Sequence, residues 1–162
     1  MTRIRHLSIF ALLIVIGCSR VARLSDTETD AVIAAVSPTN SYHDEMQHQD
    51  RTGYEATKWI STNRNIAPFG SNHFRSNEAA AKYIRDLYRL GATAVYVTDI
   101  LDEPDRIKSE GGPYSDCLYV YLPPTGPRRK ALFALEAKEA RAEGFVGSDD
   151  HGQAYLFLWM HQ

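Results

Sequence analysis

From Tyr54 onward the chain is predicted to fold as an α+β domain, a two-layer sandwich with an antiparallel sheet and two helices on one face. Three observations predict this. The segments alternate as helix, strand, strand, helix, strand. The strands keep a strict two-residue alternation, aliphatic on one side and mostly aromatic on the other. Both helices carry start and stop signals at the right places.

The first helix is expected over 77–90. Ser76 can accept an orphan amide as its N-cap, Glu78 suits the first turn, and Ala80, Ile84, Leu87 and Tyr88 share one face. Gly91 is placed to end it in a left-handed cap. A strand follows over 93–100, then an acidic loop over 101–115 containing Gly111-Gly112-Pro113. The next strand covers 116–122 and stops at Pro123-Pro124. Pro127 opens the second helix, 127–143, and Gly144 closes it. The last strand spans 153–160. A further strand near 55–61 would complete β-α-β-β-α-β, the ferredoxin-like order. It would leave a long loop before the first helix, which counts against it.

The alternation divides the sheet into two unlike faces. Val95, Val97, Leu118, Val120, Leu122, Leu156, Leu158 and Met160 belong beneath the helices. The opposite face would carry Tyr96, Tyr119, Tyr121, Tyr155, Phe157 and Trp159. An open patch of that size exceeds what a soluble monomer usually leaves bare, so the sequence demands a cover. Four occupants fit: the 54–75 segment with Tyr54, Trp59, Ile66 and Phe69; a second copy packed face to face, as in dimeric α+β barrels; a different protein partner; or a small apolar ligand. Tyr and Trp favour a protein interface. Stacked bases are disfavoured: the chain carries 18 Lys and Arg against 20 Asp and Glu, a poor match for nucleic acid.

Before Tyr54 the sequence changes character. Arg3 and Arg5 lead into an apolar run, Leu7 to Ile16, followed by Gly17 and Cys18. A basic start, a short apolar stretch and a small residue before a cut form a secretory signal. The run of about ten residues is too short for a hydrocarbon core that needs about 20. Val15-Ile16-Gly17-Cys18 resembles a bacterial lipobox. The resemblance implies removal of residues 1–17, lipidation of Cys18 with acyl chains such as palmitate, and a membrane anchor outside the cytoplasm, at an outer membrane or cell surface. Anchoring would leave Cys117 without an intramolecular disulfide partner, so the domain must hold itself by its core. Residues 18–53 are polar and are expected to form a flexible tether. A short helix is possible near 30–36, where Val32, Ile33 and Val36 share a face. About 35 flexible residues would reach about 30 Å. The expected division is therefore 1–17 signal peptide, 18–53 lipidated Cys and tether, 54–162 domain.

Chemistry-bearing clusters are sparse. His43, Asp44, Glu45, His48 and Asp50 crowd one stretch, but a five-residue His spacing does not align two imidazoles on a helix, and a solvated linker is the plainer reading. Asp149-Asp150-His151 and His161 flank the last strand, where Asp and Gly commonly serve turns. Asp99, Asp102, Glu103 and Asp105 do not follow a calcium-loop order. Arg128, Arg129 and Lys130 open the second helix while Glu136, Glu139 and Glu143 close it, opposing the helix dipole. That reversal marks the three basic residues as a candidate contact for an anion or lipid headgroup. Cys117 lies mid-strand without a basic neighbour in sequence. No nucleophile elbow, phosphate loop or dinucleotide fingerprint is present, so neither a catalytic residue nor a cofactor is assigned. The expected role is a binding or structural one, through the aromatic face with a second copy or another envelope protein. The alternative is an envelope enzyme or small-ligand binder with a pocket on that face.

Overall fold

The computed structural model describes residues 21–36, 53–70 and 74–160. The lipobox, Cys18, the His43–Asp50 cluster and His161 lie outside the described residues. The elements are α1 (Asp26–Ala35), β1 (Tyr54–Glu55), α2 (Ala56–Thr62), α3 (Asn77–Leu90), β2 (Ala94–Leu101), α4 (Pro104–Glu110), β3 (Tyr114–Tyr121), α5 (Pro127–Ala142) and β4 (Tyr155–Trp159). The α+β sandwich is present, and every neighbouring pair of strands is antiparallel. The strands lie side by side in chain order, β1-β2-β3-β4, so β1 and β4 form the two edges.

α3 forms where its sequence signals place it. Ser76 Oγ accepts from Ala79 N–H at 3.2 Å, and Gly91 ends the helix at φ 109°. A side chain at Gly91 is excluded twice over: the backbone is left-handed, and a Cβ would lie 2.7 Å from Arg128 Cδ. Ala80, Ile84, Leu87 and Tyr88 of α3 meet Leu132 and Phe133 of α5 over Val95, Val97, Leu118, Val120, Leu156 and Leu158. The aliphatic face is thus the core, as its alternation requires.

The structure corrects three expectations. The strand expected over 55–61 is only Tyr54–Glu55. The buried Glu55 carboxylate accepts from Thr57 N–H (2.9 Å) and Lys58 N–H (2.8 Å), turning the chain into α2. Ala56, Trp59 and Ile60 then face the core. The acidic loop contains α4, started by Pro104 and ended by Gly111 at φ 87°. Finally, residues 21–36 are not a flexible tether. Ser25 and Glu28 form a capping box at the start of α1, and Leu24 N–H donates to Arg89 C=O at 2.8 Å. Arg85 pairs with Asp30 at 2.7 Å, Arg89 with Asp26, and Arg23 with Asp86 at 3.1 Å. Val32, Ile33 and Val36 pack against the core. Exposed ion pairs contribute little singly, so the fully buried Thr29 and these three partly buried aliphatic residues carry most of the docking.

Candidate functional site

The aromatic face is closed at one end and open at the other. Tyr96 (1% exposed) and Tyr119 (6%) are buried, with Ala94, in a small cluster of their own on the side away from the main core. Val36, just after α1, packs against this cluster, as do the half-buried Tyr121 and Tyr155. Phe157 (41%) and Trp159 (44%) are exposed. The rings meet mainly edge to face: Tyr96–Tyr121 at 5.7 Å, Tyr119–Tyr155 at 4.9 Å, Tyr119–Phe157 at 5.2 Å. Such pairs stiffen one another by about 0.5–1.5 kcal/mol each beyond their burial. Among the described residues, the 54–75 segment does not serve as the cover. Its Trp59, Ile60, Phe69 and Phe74 sit in the helix-side core, while Tyr54 and Ile66 face solvent.

The basic start of α5 resolves into three unlike residues. Arg129 is buried and engaged. Its guanidinium donates to both Asp150 carboxylate oxygens (2.9 and 2.6 Å) and to the carbonyls of Pro123 (3.2 Å) and Gln153 (2.9 Å). It is therefore withdrawn from the expected headgroup contact, because four of its five N–H donors are spent on the chain just before α5 and the loop after it. Arg128 is half-buried beside Gly91, and only Lys130 projects into solvent. At the other end Glu136, also buried, accepts from Ser148 N–H (2.9 Å) and Oγ–H (3.0 Å). The reversed charges of α5 thus fasten the 145–153 loop along the helix, a cross-chain use invisible from helix rules alone.

The remaining candidates supply little chemistry. Asp150 belongs to Arg129 and to Gly152 N–H (3.0 Å). These hydrogen bonds hold its carboxyl down at about 2. His151 is exposed, and its N–H donates to Gln153 Oε1 within the same turn. Glu103 and Asp105 begin α4. Among the described residues no group of three His, Cys, Asp or Glu could hold a metal ion. Cys117 is buried, with Asp116 Oδ1 at 3.4 Å. Burial, and then the charge of Asp116, push its thiol far above its ordinary value, so it is no nucleophile. Asp99 takes φ 50° in β2, opening the stretch where Ile100 and Leu101 pair with Ser115 and Tyr114.

Two hollows border the aromatic face. One of about 680 Å³ is lined by Leu24, Val36, Ala94, Tyr96, Tyr121 and Arg128. A smaller one, about 260 Å³, lies along β4 among Phe145, Val146, Phe157, Trp159, Glu139 and Glu143. Sequence patterning missed both, because each depends on a loop or helix lying beside the sheet. Val146, 94% exposed, and Phe145, 6.0 Å from the Trp159 ring, were the available signal: two apolar residues in an otherwise polar loop. Among the described residues no helix is long and apolar enough to cross a membrane. Protein-family models, curated proteins and solved structures offer no match to this chain.

Proposed function

We propose that this chain is a lipid-anchored protein of a bacterial envelope, acting by protein–protein contact through the open end of its aromatic face. The anchor reading rests on the lipobox-like Val15-Ile16-Gly17-Cys18 after a signal-like run. The binding reading rests on one observation: Phe157 and Trp159 stand exposed beside rings that are fixed by packing. Such preordered aromatic anchors lose little conformational entropy on binding. A second copy of the chain is the first partner to test. Sedimentation of the protein beginning at Ser19, over a dilution series, should show a dimer that Phe157→Asp dissociates. A monomer at every concentration would sink self-association and turn the search toward another envelope protein. Phe157 suits this test better than Tyr119, whose burial would confound assembly with folding.

The second reading, a small-ligand binder, is favoured by the hollow of about 680 Å³, whose lining is mostly apolar and carries Arg128 as its one charged residue. Its ligand would be an amphiphile with an acidic group. Dodecanoate should then bind and should weaken on Arg128→Gln; no binding would discard the reading.

A further inference from the structure

The two edges of the sheet are guarded very differently. β1 offers two residues before Glu55 turns the chain into α2. β4 offers five, Tyr-Leu-Phe-Leu-Trp, with no charge, proline or bulge. Natural sheets normally blunt an edge with one of those devices. The outward groups of β4 follow from its ladder. Leu122 N–H donates to Ala154 C=O, and Met160 N–H donates to Asp116 C=O. Antiparallel bonding alternates, so the even-numbered residues of β4 turn their main chain toward β3. Tyr155 and Phe157 therefore direct N–H and C=O to the outer edge, where no described strand lies.

The smaller hollow lies along this edge. Phe157 and Trp159 border it on the aromatic side, Leu158 and Met160 on the helix side, and Phe145 and Val146 from the loop. Its charged residues are all acidic: Glu136, Glu139 and Glu143 of α5 and the turn after it. Glu136 is spent on Ser148, and the half-buried Glu139 has the exposed Lys138 at 3.8 Å, a loose pair. We infer that β4 receives an extended peptide segment as a fifth strand, its apolar side chains on the Phe157–Trp159 side and its basic ones toward Glu139 and Glu143. Main-chain bonds to Tyr155 and Phe157 would supply affinity, and the alternate side chains would supply selectivity. The loop carrying Phe145 and Val146 beside the edge suits a slender strand better than the bulk of a second domain. This inference goes beyond the proposed function: it does not need the anchor, and it uses the open face only at Phe157 and Trp159, adding the main-chain edge of β4.

The test titrates the full chain in detergent with Ac-Val-Lys-Val-Lys-Val-Lys-NH2, following tryptophan emission. Trp59 is buried, so a change reports on Trp159. Saturable binding is expected. It should weaken by about tenfold or more with Glu in place of Lys, and vanish when every peptide nitrogen is methylated. Phe157→Pro removes one outward N–H without touching the β3 ladder and should weaken binding similarly, circular dichroism confirming the fold. Glu139→Lys leaves the edge intact and should shift preference toward the Glu peptide. No binding, equal binding of the two charge forms, or equal binding of the methylated peptide would each overturn the inference. Sedimentation of the same variants keeps it separate from self-association. Loss of peptide binding at an unchanged association state concerns the edge, and the reverse concerns the face.

Discussion

Arg129 looked from sequence like one of three equivalent surface cations, yet it is the residue that closes the molecule at that end. Its pairing with Asp150 makes stability depend on acid in a defined window. Asp150 is held at about 2 by the Arg129 hydrogen bonds and the Gly152 N–H, against an unfolded value of about 3.9. The native state therefore favours the ionised form. Its contribution is complete above about pH 4, shrinks as the pH falls toward 2, and is gone below that. Urea midpoints of the parent and Asp150→Asn should differ at pH 6 and converge only below about pH 2. A gap that persists at low pH would rule out the carboxylate as its source. A second residue-scale prediction concerns Tyr88, whose buried hydroxyl donates to Glu55 Oε1 (2.8 Å) and accepts from Val95 N–H (3.0 Å). Tyr88→Phe strips partners from both, and should lower stability by about 1–3 kcal/mol in urea unfolding. The helical spacing placed Tyr88 on the buried face of α3. Its hydroxyl's task was not legible, because both partners come from separate segments.

At the scale of elements, what the sequence revealed followed local periodicity and caps. α3, α5 and the two long strands stand within a few residues of their expected bounds. Alternation along β2, β3 and β4 correctly sorted the core-facing aliphatics. α2 was missed because Glu55 acts as an N-cap through a longer side chain than the usual Ser, Thr, Asp or Asn. The docking of α1 was missed because composition alone suggested a linker. Its polar face is spent on Arg85 and Arg89 of α3, and only Val32, Ile33 and Val36 mark the other side. This predicts a penalty for trimming. A protein beginning at Gly53 should be less stable than one beginning at Ser19 by about 2–4 kcal/mol, the worth of three partly buried aliphatic side chains. Equal urea midpoints would show that α1 adds nothing to the domain.

The whole molecule inherits a geometric consequence from that docking. Leu24 is bonded to Arg89, at the end of α3, so only residues 19–23 separate Cys18 from chain that is fixed to the domain. Fully extended, that stretch spans at most about 20 Å, less than the reach of about 30 Å expected of a 35-residue tether. A lipid on Cys18 would hold the domain against the headgroups, with the Gly91 end toward the bilayer. Arg128, beside Gly91, would lie at that end. β4 is the edge strand farthest from β1 in the sheet, so among the described residues no strand lies along its outer edge to compete with an incoming peptide. The proposed anchor yields the last prediction. A single acyl chain binds membranes only marginally, whereas a diacyl group adds roughly 0.8 kcal/mol for every further buried methylene and makes the attachment lasting. Cys18→Ser should therefore abolish labelling by radioactive palmitate and prevent release of residues 1–17, and the change should leave the folded domain unaltered. Palmitate incorporation that survives Cys18→Ser would place the acyl group elsewhere. A parent protein that takes up no label in a lipoprotein-processing host would remove the anchor, and with it the constraint on orientation, while leaving the aromatic face and the β4 edge to be judged by their own experiments.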